Sequence, residues 1–343
     1  MKKKMYLFIW LIALHGYAIN AHSQANDVKL ITESYTVPAK DPGIELYVRN
    51  KRPADMKTFT PEKVLLYVHG ATYPSETAFD LELGGFSWMD YIARHGYDVY
   101  LLDLRGYGRS TRPPEMDQPA KDNSPIVKTE TAVRDIEAVA EHIMKRRGIE
   151  KLNLLGWSWG TTTMGSYAAQ NPQRVNKLVL FAPVWLRKEP LKLPPGPLPA
   201  YRTVTKEAAK QRWLNGVPAE KVKGLIPDGW FEAWADATFA TDEWGMKQNP
   251  PVLRAPNGVV DDIQNFWAAG KPKYDPAKIT APTLIIHAEW DQDTPAYMAQ
   301  ALFPLLTNAA SKRYIVIGEG THTVIMEKNR MQLFKETQLF LDE

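Results

Sequence analysis

Short apolar runs alternate with amphipathic segments along most of this 343-residue chain, and that alternation limits the fold more than any other feature. Ile44–Arg49, Val64–Val68, Tyr97–Leu102, Leu152–Leu155, Leu178–Phe181, Thr283–Ile286 and Tyr314–Ile317 read as strands. Trp88–His95, Thr131–Arg147, Thr161–Gln170, Tyr297–Leu306 and a last segment from about Val324 to Leu341 read as helices. In Thr131–Arg147 the apolar residues Val133, Ile136, Val139, Ala140 and Ile143 recur at helical spacing, and Gly148 follows as a stop. Strands apolar on both faces and interleaved with helices predict an α/β fold, a mostly parallel central sheet with helices on both faces.

The pattern breaks between about residues 187 and 275. Pro190–Pro199 holds five prolines in ten residues and reads as a stiff connector. The stretch beyond it reads as helices rather than strands: Thr205–Leu214, Trp230–Phe239 and Val260–Ala268. It contains Trp213, Trp230, Trp234, Trp244 and Trp267, five of the chain's eleven tryptophans. We expect a helical cap over 187–275 on a core built from 26–186 and 276–343. Most of the five should glue the cap together, with one or two facing a cleft. The cap is expected to set specificity without contributing to any chemical step.

Lys2–Lys4, an apolar run from Tyr6 to Ala18 and small residues at Ala21, Ser23 and Ala25 have the layout of a secretory signal over 1–25. The apolar run is short for a membrane span, so no stable anchor is expected once the signal is removed. A cysteine-free chain suits an oxidising compartment, and the expected location is periplasmic or secreted. Lys+Arg total 42 and Asp+Glu 39, and the first 25 residues hold three lysines and no acid. Removing those three from 42 leaves 39 basic against 39 acidic residues, so the charge predicts no nucleic-acid partner.

Three strand ends bear the chemistry. Gly156-Trp157-Ser158-Trp159-Gly160 lies between an apolar strand and a helix, where a tight turn lifts a serine hydroxyl above a sheet. A serine nucleophile needs a base oriented by a third group. Of the seven histidines, His15 and His22 lie in the signal, and His95 and His142 belong to helices. His69 sits in a turn. His322 follows a strand in a flexible loop and is the expected base, with His287 the alternative. The acid should fall between serine and histidine, at Asp291 or Asp293, one orienting the imidazole and the other capping the helix near Pro295. Asp291 is preferred, because Asp293 before Thr-Pro suits a turn or cap.

With these residues in place, the chain resembles the α/β-hydrolase family, in the order Ser158, Asp291, His322. Asp103-Leu104-Arg105-Gly106-Tyr107-Gly108-Arg109-Ser110 resembles the family's D-x-R-G-x-G-x-S turn. Ala288 to Pro295 resembles G-x-x-D-x-x-x-P with alanine for the first glycine, and His322 with Glu327 resembles the G-H…E ending with Thr321 for glycine. His69-Gly70 resembles the first oxyanion turn, which implies backbone donors at Ala71 and Trp159. The resemblance implies a serine hydrolase with no metal or organic cofactor, and by family analogy a carboxylic ester substrate. Trp157 and Tyr73 are expected to contact a small apolar or aromatic ester. The alternatives are an aminopeptidase of the proline-iminopeptidase type, whose cap acids Glu232, Asp236, Asp242 or Glu243 would hold an amine, and a non-catalytic binding module.

Overall fold

The computed structural model describes residues 28–191 and 195–343. The expected signal over 1–25 lies outside the described residues. Among those residues no helix is long and apolar enough to cross a membrane.

Among the described residues, ten strands form two sheets. The large one contains β1 (Leu30–Pro38), β2 (Glu45–Pro53), β3 (Val64–Val68), β4 (Asp98–Leu102), β5 (Leu152–Trp157), β6 (Val175–Phe181), β9 (Thr283–Ala288) and β10 (Lys312–Ile317). The small one pairs β7 (Tyr201–Thr205) with β8 (Val252–Pro256). The large sheet runs β1-β2-β4-β3-β5-β6-β9-β10. β1 and β2 are antiparallel, as are β2 and β4, and every other pairing in it is parallel. From β3 the chain moves to β4 on one side and then to β5 on the other. The carboxyl ends of β3 and β5 therefore open a crevice where the strand order reverses.

Side chains alternate across the sheet with the strand period of two. Leu66, Val68, Leu154, Leu178, Leu180 and Ile285 join one core cluster, and Leu65, Tyr67, Leu155, Val179, Phe181, Leu284 and Ile286 the other. α1 (Trp88–Arg94) and α7 (Arg330–Asp342) cover the second face, whereas α2 (Thr129–Arg147) and α3 (Trp159–Gln170) cover the first. α2 buries Val133, Ile136, Val139, Ala140 and Ile143 and ends on Gly148 at φ +66°, the left-handed stop that favours glycine. α6 (Ala296–Leu302) follows β9.

Between β6 and β9 lie α4 (Lys206–Trp213) and α5 (Trp230–Phe239), close to expectation. The purely helical reading of this segment needs correction, because β7 and β8 pair within it. Their partners lie far apart in sequence, so no local turn marks the pair. The expected last helix also divides: Val324–Met326 is one tight turn, and α7 starts only at Arg330. Glu327 lies between the two, fully buried, with its carboxylate bonded to Thr321 rather than facing water.

Candidate active site

β5 ends at Trp157 and α3 starts at Trp159, leaving Ser158 as the whole connection at φ +56° and ψ −122°. A non-glycine residue with positive φ is uncommon and strained, and such strain persists where its surroundings hold it. The three nearby glycines hold it by their lack of a side chain. A Cβ on Gly156 would stand 2.3 Å from Gly160 O, and one on Gly160 would stand 2.5 Å from Val68 O. A Cβ on Gly70 would stand 2.7 Å from Ser158 Cβ. The turn after β3 is thus packed directly against the serine.

His69 shapes that turn. It is fully buried, and burial lowers its pKa to about 4, so the ring is neutral. Its Nε2 accepts from the Leu104 N–H at 3.1 Å, which leaves Nδ1–H to donate to Gly70 O at 2.6 Å. Among the described residues, neither Ala71 N–H nor Trp159 N–H has a hydrogen-bond partner. Ala71 lines the serine's cleft and Trp159 directly follows the serine at the start of α3, the two positions expected to supply donors for a developing oxyanion.

His322 and Asp291 come together across the loops that follow β10 and β9. His322 Nδ1 lies 2.8 Å from Asp291 Oδ2. Asp291 is itself fixed by the backbone N–H groups of Asp293 and Thr294, both at 2.9 Å, and by the Thr294 hydroxyl at 2.7 Å. The expected division of labour therefore changes: Asp291 both meets the imidazole and caps its own loop. Asp293 instead accepts from Arg212 Nε of α4 at 2.7 Å and stands 3.9 Å from His322 Nε2. No side chain caps α6, because Pro295 occupies the capping position. Burial pulls the His322 pKa down, yet Asp291 and Asp293 together raise it above the usual 6.5. For Asp293, burial opposes ionisation, and Arg212 overrides it to hold the carboxyl below its usual range. His287 is turned toward Thr294 O at 3.1 Å and does not line the cleft.

One cleft joins these groups. Ser158, His322, Gly70 and Ala71 line it from the core, and Arg212, Trp213 and Trp234 line it from the insertion. Trp157 forms part of the floor and donates from Nε1 to His322 O at 3.1 Å. Tyr73 also lines it and meets Trp234 edge-on at 4.8 Å between ring centres. Trp159 differs: its side chain is fully buried in the core and bonds Thr129. Of the five insertion tryptophans, Trp213 and Trp234 reach the cleft, Trp267 is buried in the core, Trp230 stacks on Arg330, and Trp244 is 43% exposed. Glu232 and Asp236 pair with Lys210 and Lys206, and Asp242 pairs with Arg254. None of these, nor Glu243, lines the cleft.

Sequence reasoning missed Thr72, Arg202, Arg212 and the contacts of Glu327. Thr72 accepts from both arginines, and Glu327 joins Thr321 to Trp213 Nε1. An arginine beside a tryptophan in a helix gives no local sign of facing a cleft. Only Glu327 carried a signal, as part of the ending that includes His322.

The alpha/beta hydrolase fold family model matches residues 63–329. Human Protein ABHD8 is 25% identical over 287 residues, 81% of this chain and 55% of the relative, so the chain spans about half that relative's length. A serine hydrolase structure from the polyaromatic hydrocarbon-degrading bacterium Cycloclasticus zankles aligns with a TM-score of 0.59 at 16% identity, covering 91% of this chain and 98% of the other. An esterase structure from Exiguobacterium antarcticum gives 0.57 at 17% identity, covering 91% and 100%.

Proposed function

The chain belongs to the α/β-hydrolase fold family, and from that premise we propose that it is a serine hydrolase cleaving carboxylic esters through an acyl-enzyme. One observation carries the reading: a buried Asp291–His322 hydrogen bond of 2.8 Å opens onto the same cleft as a strained Ser158. Ser158 Oγ attacks the ester carbonyl carbon while His322 Nε2 takes its proton. Asp291 keeps the other ring proton on Nδ1 and stabilises the imidazolium. The N–H groups of Ala71 and Trp159 receive the carbonyl oxygen as it becomes negative. His322 returns the proton to the departing alkoxide, leaving an acyl group on Ser158. A water then repeats the sequence, with His322 as base, to release the acid.

The aromatic walls at Trp157, Tyr73, Trp213 and Trp234 favour an apolar or aromatic ester. The aminopeptidase alternative lacks support in the cleft. The insertion's acids are paired or lie elsewhere, and Asp293, the further carboxylate there, is held by Arg212. Periplasmic or secreted location stays part of this proposal on the strength of the leader pattern alone.

The test compares a p-nitrophenyl ester with an amino-acid anilide and adds a fluorophosphonate probe. We expect ester turnover and probe labelling in the wild-type protein, and neither in Ser158→Ala, which should keep its melting temperature. Labelling of the alanine variant would remove Ser158 from the mechanism. Turnover of the anilide alone would replace the ester reading with the peptidase one.

A further inference from the structure

Thr72, one residue beyond Ala71, stands at φ +98° and is 1% exposed. A β-branched residue in that region is a true outlier and needs its surroundings to hold it. Two guanidinium groups do so. Arg202 Nη2 donates to Thr72 Oγ1 at 2.6 Å, and Arg212 Nη1 donates to the same oxygen at 3.3 Å. Both arginines belong to the insertion, Arg202 on β7 and Arg212 on α4. Arg202 is braced from behind, its Nη1 donating to Pro256 O at 2.7 Å and Asn257 Oδ1 at 3.2 Å. Arg212 reaches the other half of the site through Asp293, beside His322.

The charges are unequal. Arg212 is paired with Asp293, but among the described residues Arg202 has no carboxylate within ion-pair distance. The residue as a whole is half-buried, and burial pulls its pKa below the ordinary arginine value. A partly desolvated charge without a counter-ion is costly and favours negative charge forming nearby.

We propose that the insertion takes part in the chemical step, with Arg202 and Arg212 acting as positioning residues that clamp Thr72 and so hold the Ala71 N–H toward the forming oxyanion. The inference rests on the serine-hydrolase reading and deepens it. The clamped Ala71 N–H acts where the substrate oxygen becomes negative, so loss of the clamp should fall on turnover rather than on substrate binding. The expectation of a cap that sets specificity alone then gives way to one that also completes the oxyanion turn.

The experiment measures kcat and KM for p-nitrophenyl butyrate, the rate of fluorophosphonate labelling, and Tm, in Arg202→Met, Thr72→Val and Thr72→Ser. Removing a direct oxyanion donor costs about 10²–10³ in kcat, and an indirect loss should be smaller. We expect Arg202→Met and Thr72→Val to lower kcat and the labelling rate together by about 10–100-fold, with KM changed less than about threefold. Thr72→Ser keeps the acceptor oxygen and should stay within about threefold of wild type. Wild-type turnover in either arginine or valine variant, or a change confined to KM, would overturn the clamp. Equal losses in Thr72→Val and Thr72→Ser would do the same, because the oxygen would then be irrelevant. A wild-type protein that neither labels nor hydrolyses any ester would instead overturn the serine-hydrolase reading on which the clamp depends.

Discussion

Two carboxylates, two residues apart, meet the same imidazole from different sides. Asp291 accepts at Nδ1 within 2.8 Å, whereas Asp293 Oδ2 lies 3.9 Å from Nε2 and is bound to Arg212. Asp291→Asn would place an amide where the ring proton must be accepted and would favour the wrong tautomer, so activity should fall by about 10³–10⁴-fold. Asp293→Asn leaves that bond intact and should cost far less; steady-state rates of the two variants decide the ranking. The base must be neutral to accept a proton, and its pKa is raised above 6.5. Activity should therefore be lost as pH falls through a value above 6.5, higher than an unperturbed histidine would give. Asp293→Asn removes one of the two charges that raise it, so the acid limb of kcat/KM should move down. An acid limb that stays put in this variant would show that Asp293 does not act on the imidazole.

At the scale of elements, α4 and the loop after β10 are joined by a buried carboxyl group. Glu327 accepts from Thr321, next to His322, and from Trp213 Nε1 at 2.9 Å, so one side chain ties the cleft's lid wall to its base. Trp213 and Trp234 line the cleft. Trp213→Ala and Trp234→Ala should change kcat/KM unequally for a short aliphatic and an aromatic ester. Trp267 is 1% exposed in the core, and Trp267→Ala should cost about 3–5 kcal/mol in stability while affecting both esters alike. Trp244 is 43% exposed and does not line the cleft, so Trp244→Ala should leave kcat/KM for both esters unchanged. Parallel kinetics and melting curves for these four variants check the assignment. Equal effects of Trp213→Ala and Trp234→Ala on both esters would make the aromatic wall structural.

For the whole molecule, buried acids give stability a component that runs against ordinary acid denaturation. Burial raises the Glu327 pKa from 4.5 to about 7. A group whose pKa is higher in the folded state takes up a proton on folding, so its contribution is fully present below about pH 4.5 and is lost as pH rises through about 7. Asp103, also pushed up to about 7 by burial, works in the same direction. Glu327→Gln removes one such titration. Its Tm relative to wild type should therefore rise as pH increases from about 5 to 8. A Tm difference that does not vary over that range would mean the carboxyl is ionised throughout in the folded protein.

What the sequence determined by itself was local. The alternation of β5, Ser158 and α3 is written in consecutive residues, and so are the glycines that crowding demands there. Apolar runs likewise announced most parallel strands, because a strand covered on both faces must be apolar throughout. β1 escaped notice because an edge strand with one exposed face has a weaker pattern, and β7 with β8 because their pairing spans the insertion. Tertiary structure alone decided what each acid does: Asp291 and Asp293 leave the same strand end, and only the arrival of His322 and Arg212 from distant elements separates their roles. The same holds for Thr72, whose strained backbone is held by two arginines 130 and 140 residues further along the chain. Hydrogen bonds between such distant residues depend on how elements dock, and local sequence patterns contain no record of docking.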